Sequence, residues 1–341
     1  MENMMCNPGR LVLSNVEQRA GLNSPKISVP KGGLKHLNIL AQRRSRQVLV
    51  QCAHQSASQT RERNTPSKIV ATRRDLLVSG ATLSFVSSNK LQAEAASVSD
   101  EEAVREAIDA AFKQTLPPQK APSVLRLVFH DAGTYDEASK TGGLNASVRF
   151  EFDRPENFGL KRGFGPITKA HDLLKNSVAK DISFSDLIAC GGAYAVRMTG
   201  GPSITVPLGR LDADKADPEG RLPAETLSPS ELKAHFAKGG FSAQDLVVLS
   251  GAHTVGGKGF GEPLSFDNTY FKTLLERPWN AGGSKMDVEM AQMIGLPSDK
   301  ALPDDEECYS WIELYAHDQD RFFKDFESAY LKLADTGATY A

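Results

Sequence analysis

Cysteine and tryptophan are scarce in this chain, four and two respectively among 341 residues. Cys6 and Cys52 fall in a basic leading stretch, which leaves only Cys190 and Cys308 for whatever folds behind it, too few for a disulfide-stapled scaffold. Cys190 sits among Ala and Gly in a helical pattern and reads as a buried thiol; a single Cys190–Cys308 bridge is the most that the count allows. Long apolar runs are missing as well. The run from Leu76 to Val86 is too short to span a bilayer, and nothing after it reads as a transmembrane segment. No internal repeat or low-complexity tract follows residue 95, and strand signals are limited to short pieces such as Ser203-Ile-Thr-Val206.

Acidic residues are nearly absent from the front of the chain. Residues 1–95 hold fourteen Lys and Arg against five Asp and Glu, whereas residues 96–341 hold 26 against 37. A stretch rich in Ser, Gln and Arg with few acids has the composition of an organelle transit peptide, here residues 1–70. No aromatic residues interleave with its charges, which argues against nucleic-acid binding. Residues 71–95 form a second signal: the pair Arg73-Arg74, a modest apolar run, and a small-residue cleavage site ending at Ala95. In that order the two signals predict import into a chloroplast followed by twin-arginine export to the thylakoid lumen.

The 246 residues that remain are enough for one large domain or two lobes around a cleft. Their dominant periodicity is helical. Val104, Ile108, Ala111 and Phe112 share one face within 100–116; Ser183-x-x-Asp186 opens a helix running to Arg197; and Phe322, Phe323, Phe326 and Tyr330 share a face within 318–333. An all-α fold is predicted.

The chemistry is concentrated in two runs. In Ser123-Val-Leu-Arg-Leu-Val-Phe-His-Asp-Ala-Gly133, helical spacing puts Arg126, Phe129 and His130 on one face, aimed at one spot. An imidazole can take a proton from one oxygen of a peroxide while a permanently charged guanidinium stabilises the negative charge that develops as the O–O bond breaks. A buried helix with a satisfied histidine is the plainer reading of the run alone. A second histidine follows in Phe241-Ser-Ala-Gln-Asp-Leu-Val-Val-Leu-Ser-Gly-Ala-His253-Thr-Val-Gly-Gly257. Ser242 and Asp245 have the spacing of a capping box, Leu246, Leu249 and His253 recur on one helical face, and Gly256-Gly257 provide a stop.

The two runs together resemble the distal and proximal histidine motifs of the haem peroxidases of plants and bacteria. The resemblance extends from about Glu101 to about Gly337 and is closest to the ascorbate-peroxidase branch, class I. It is carried further by Lys140-Thr-Gly-Gly143, Glu156-Asn-Phe-Gly-Leu160, Asp217-Pro-Glu-Gly-Arg-Leu-Pro223, Phe266-Asp-Asn-Thr-Tyr-Phe271 and Leu296-Pro-Ser-Asp-Lys-Ala-Leu302. It implies a two-lobed all-α fold with haem b in the cleft, hydrogen peroxide as oxidant and a small reductant. His130 then stands as distal base, Arg126 as distal cation, Phe129 where the branch usually has tryptophan, Asn157 as partner of the distal imidazole, and Glu151 as the acid behind it. His253 stands as the axial ligand of the haem iron and Asp299 as the carboxylate that accepts its second N–H.

Three departures from that branch are visible. Only Thr254–Ser265 separates His253 from Phe266, where the branch carries a longer loop holding the proximal tryptophan, most ligands of a monovalent cation and an arginine for ascorbate. Pro118 and Lys120 occupy the places of the lysine and cysteine that help bind ascorbate or line its path. Finally, an insert runs from Glu276 to Met290, in which Trp279 is a candidate replacement for the missing tryptophan, although a Pro-Trp in a Gly-containing loop is more often a plug. Two functions stay open at this point: a haem peroxidase of the thylakoid lumen with a degraded ascorbate site, or a non-catalytic protein on the same fold in peripheral contact with a lumenal photosystem complex.

Overall fold

Among residues 100–341, the part of the chain that the computed structural model describes, the helical periodicities of the sequence become helices that bury the expected faces. The segments 1–70 and 71–95 lie outside the described residues. Helix α1 covers 100–115 and buries Ile108, Ala111 and Phe112. Helix α2, Ala121–Ala132, carries the first histidine run and buries Val124, Leu125, Leu127, Val128 and Ala132. Helices α3, Lys161–Leu174, and α4, Phe184–Met198, pack against α2. The Ser183 hydroxyl caps α4 by accepting from the Asp186 amide, as the Ser-x-x-Asp spacing predicts.

Glycine sets how closely these helices approach. A Cβ on Gly163 of α3 would stand 2.2 Å from the Ser123 carbonyl of α2, and one on Gly192 of α4 would stand 2.1 Å from the Tyr330 hydroxyl. That hydroxyl instead donates to the Ala189 carbonyl at 2.7 Å. Further along come α5, Pro229–Lys238, α6, Ala243–Ser250, and α7, Thr269–Glu276. They are followed by α8, Lys285–Gln292, the short α9, Pro297–Ala301, then α10, Glu306–His317, and α11, Gln319–Asp335. Phe322, Phe326 and Tyr330 of α11 are buried as expected, with Phe266 stacked on Phe322 at 5.5 Å between centroids.

The strand expected at Ser203–Val206 is not formed. Ile204 and Val206 are buried and Ser203 and Thr205 exposed, which is the alternation of a strand, but among the described residues no second strand lies beside it. The Val206 carbonyl is taken by Arg105 of α1 at 2.7 Å. The alternation therefore records an extended segment laid on helices, and the bridges found among the described residues are the isolated pairs Asp136–Thr141 and Arg210–Tyr340.

Buried acids pin the connections. Asp131 accepts from the amides of Ala146 at 2.7 Å and Val148 at 3.0 Å, fixing the loop after α2. Asp186 pairs with the fully buried Arg210 at 3.0 Å, and Arg210 Nε donates to the Ala334 carbonyl at 3.0 Å, tying α4 to α11. The insert after α7 is tethered at both ends. Arg277 donates to Asp304 at 2.8 Å and to the Pro303 carbonyl at 2.9 Å, and the Gly295 amide donates to the Lys258 carbonyl at 2.8 Å.

Candidate functional site

Helix α2 presents Arg126, Phe129 and His130 to a cavity of about 340 Å³. His130 Nδ1 lies 2.8 Å from Asn157 Oδ1, and the nearly inaccessible Asn157 donates through Nδ2 to the Glu151 carbonyl at 3.0 Å. Because the amide nitrogen is committed to that carbonyl, the amide oxygen faces the imidazole. His130 must then carry its proton on Nδ1, leaving Nε2 with a free lone pair. Burial pushes the pKa of His130 down to about 4; the Asn157 hydrogen bond opposes this and the charge of Arg126 adds to it. The ring is therefore neutral over most of the pH range.

Glu151 stands behind Asn157 and meets it through its main-chain carbonyl, not its acid group. Its carboxylate turns elsewhere, accepting from Arg154 at 2.8 Å and from the Asp217 amide at 2.8 Å. Arg126 lines the cavity, but two of its N–H groups are held by the carbonyls of Glu156 at 2.7 Å and Phe158 at 2.8 Å. The rest of the guanidinium remains for a ligand. Phe129 stands edge-on to His130, with 6.3 Å between ring centroids, and stacks on Phe236 of α5.

On another wall of the same cavity is His253. Ser242 caps α6 with the predicted reciprocal pair: its hydroxyl accepts from the Asp245 amide at 3.1 Å, and its own amide donates to the Asp245 carboxylate at 2.8 Å. The helix does not continue to His253, however. It ends at Ser250, and Gly251–Thr254 form a tighter 3-10 turn that carries the imidazole. Gly251 lets the start of that turn pack closely on its neighbours, since a Cβ there would meet Phe322 at 2.7 Å and Phe271 at 2.8 Å.

His253 Nδ1 bonds Asp299 Oδ1 at 2.9 Å, while 40% of the His253 side chain remains accessible from the cavity. Asp299, on α9, accepts two further hydrogen bonds: the Leu296 amide reaches Oδ2 at 2.8 Å and the Tyr270 hydroxyl reaches Oδ1 at 2.9 Å. Burial alone would lower the pKa of His253, but the charge and hydrogen bond of Asp299 outweigh it and hold the pKa above the ordinary value. The Asp299 carboxyl is held low by the same pair, against its own burial.

Tyr270 is the site residue that sequence reasoning missed. It belongs to the Phe266–Phe271 run and is wholly buried, its ring edge-on to His253 with 6.0 Å between centroids and packed on Phe260 at 4.7 Å. A buried tyrosine must place its hydroxyl somewhere, and that requirement was the available signal. Trp279 does not reach the cavity; it sits in the short turn Pro278–Asn280, with the Lys300 ammonium 5.7 Å from its ring. Cys190 and Cys308 are both free thiols, and burial pushes each up to about 12.

Could the cavity hold a haem? Its size and largely apolar walls, including Leu125, Leu249 and Val255, are those of a small-molecule or cofactor site. An imidazole whose Nδ1 is anchored on a carboxylate offers Nε2 as a single strong ligand. Among the described residues no group of three or more His, Cys, Asp or Glu side chains could hold a bare metal ion, so a metal at His253 has to bring its other ligands with it. A metal already held in a macrocycle meets that condition, and the residues fit.

Comparison with known proteins agrees with this geometry. The family model described as Peroxidase matches residues 104–262. Over 229 residues, 67% of this chain, the sequence is 50% identical to a protein of Arabidopsis thaliana that carries the provisional name L-ascorbate peroxidase 6, covering 68% of that protein. The chain belongs to the haem peroxidases, in their ascorbate-peroxidase branch. The peroxisomal L-ascorbate peroxidase 5 of Arabidopsis thaliana is 40% identical over 64% of this chain and 76% of its own length. The mitochondrial cytochrome c peroxidase of Neurospora crassa is 37% identical over 64% of this chain and 66% of its own. No helix among the described residues is long and apolar enough to cross a membrane.

Proposed function

We propose that this chain is a haem-dependent peroxidase of the thylakoid lumen that reduces hydrogen peroxide with a small neutral donor rather than with ascorbate. One observation carries the reading: two imidazoles line one cavity, each with Nδ1 held, one by an amide and the other by a carboxylate, so that both Nε2 atoms are left for chemistry.

His253 would hold the iron and Asp299 would fix its ring. Haem bound there supplies the redox centre that takes two oxidising equivalents from peroxide and gives them up to the donor. The chain's own contribution is proton handling and charge. His130 Nε2 takes the proton from one oxygen of hydrogen peroxide and returns it to the other, which leaves as water. The free N–H groups of Arg126 balance the negative charge on the departing oxygen. Phe129 and the apolar walls keep bulk water from competing for these groups.

The donor assignment rests on what surrounds the cavity. Pro118 and Lys120 stand before α2, the segment Thr254–Ser265 contains no arginine, and the cation it brings to the cavity wall is Lys258. The anion-binding arrangement expected for ascorbate is thus not assembled. The lumenal location is supported by the twin-arginine segment at 71–95.

An absorption spectrum of the protein reconstituted with haem tests the assignment. A Soret band that disappears in His253→Ala is expected. In His130→Leu the band should persist while the fast reaction with peroxide slows by about a hundredfold or more, the range for loss of a general base. If the wild type takes up no haem under any condition, the enzyme reading fails, and a non-catalytic protein at a lumenal photosynthetic complex takes its place.

A further inference from the structure

We infer that Tyr270 is a positioning residue that limits the pull of Asp299 on His253, and so sets the strength of the His253 imidazole as a ligand. The basis is a shared atom. Asp299 Oδ1 accepts both the His253 Nδ1–H at 2.9 Å and the Tyr270 hydroxyl at 2.9 Å, while Oδ2 is occupied by the Leu296 amide at 2.8 Å. Two donors on one oxygen draw on the same lone-pair density, so each weakens the other. With the hydroxyl in place, the carboxylate takes less of the Nδ1 proton, the ring keeps more neutral-imidazole character, and its Nε2 donates less electron density.

The arrangement is built to persist. Tyr270 has no solvent to turn to: it is fully buried, and Phe260 and Phe271 stand edge-on to its ring at 4.7 and 5.0 Å between centroids. Satisfying a buried hydroxyl would account for some acceptor being near. It does not require the acceptor to be the atom that already serves His253, and that coincidence is what gives the hydroxyl leverage on the site. The part of the inference that concerns ligand strength rests on the haem reading above; the part that concerns the His253–Asp299 hydrogen bond does not.

The two parts are separated by measuring first without haem. In the apoprotein, Tyr270→Phe keeps the ring and its packing and removes one donor. The His253 Nδ1–H proton resonance, followed by nitrogen-edited NMR, should move downfield as the bond to Asp299 strengthens. Fluorotyrosine placed at 270, whose hydroxyl is the stronger donor, should move it upfield; this second variant decides the matter if Tyr270→Phe does not fold. In haem-loaded protein, Tyr270→Phe should lower the iron midpoint potential and raise the iron–histidine stretching frequency. An Nδ1–H resonance unmoved in a folded variant overturns the inference. Failure to load haem would count against the proposed function while leaving the apoprotein result standing.

Discussion

At the scale of the residue, the site is governed by which nitrogen of each histidine is engaged. Asn157 and Asp299 both take Nδ1, but only the carboxylate outweighs the cost of burying a charged ring: burial takes His130 down to about 4 against its Asn157 hydrogen bond, whereas Asp299 holds His253 above its ordinary value. The consequence for pH is direct. Nε2 of His130 stays unprotonated well below neutrality, so the fast reaction with peroxide should hold its rate from pH 7 down to 5 and fall away as pH drops through about 4. Stopped-flow mixing across that range checks it; a loss already half complete near pH 6.5 would contradict it. Stability moves with the same group. The unfolded chain binds the His130 proton near 6.5 and the folded chain only near 4, so between those values the unfolded state carries more protons and stability declines as pH falls. Asn157→Ala removes the partner that fixes the tautomer and should slow the peroxide reaction with little effect on haem uptake, as paired stopped-flow and absorption measurements on one preparation would show.

At the scale of the element, caps and glycines place these residues. Replacing Ser242 by Ala removes the hydroxyl that caps α6 and should cost about 1 kcal/mol in denaturant unfolding. Gly163→Ala should cost more, about 1–3 kcal/mol, because its Cβ meets main chain at 2.2 Å and α3 has to move off α2. Equal unfolding midpoints for the Gly163→Ala protein and the wild type would show that the approach of these helices is less tight than described. Features of this local kind were legible in the sequence. Ser183 and Ser242 announce their helices, and the apolar faces of α1 and α11 follow from spacing alone. What spacing could not convey was the effect of tertiary contact. The α6 pattern runs through His253, yet the helix ends at Ser250 and its last residues form a 3-10 turn, where the rings of Phe271 and Phe322 pack against Gly251. Ile204 and Val206 alternate like a strand because helices cover one side of them. Glu151 was legible as a neighbour of Asn157, but not which of its oxygens would be used, since that depends on Arg154 and Asp217 claiming the carboxylate.

At the scale of the whole molecule, charge and the cavity decide the partner. Residues 96–341 carry 37 acidic side chains against 26 basic ones, so an anionic donor approaches against the long-range field. Turnover with ascorbate should accordingly show little advantage over a neutral phenol; a hundredfold higher kcat/KM for ascorbate, about 2.7 kcal/mol of selective stabilisation, would refute this. A chain shortened to begin at Ser97 should unfold at the same denaturant concentration as the full sequence if residues 1–95 serve only as targeting signals. The tethers of the insert have a consequence of a different kind. With Arg277 clamped to Asp304 and Gly295 to Lys258, everything between the two clamps is an excursion that leaves from and returns to fixed points. Doubling the length of such an excursion costs only about 0.6 kcal/mol of closure entropy. This stretch can therefore drift in length and composition between relatives, or accept an engineered tag, while the carboxylate a few residues downstream keeps its place under the imidazole.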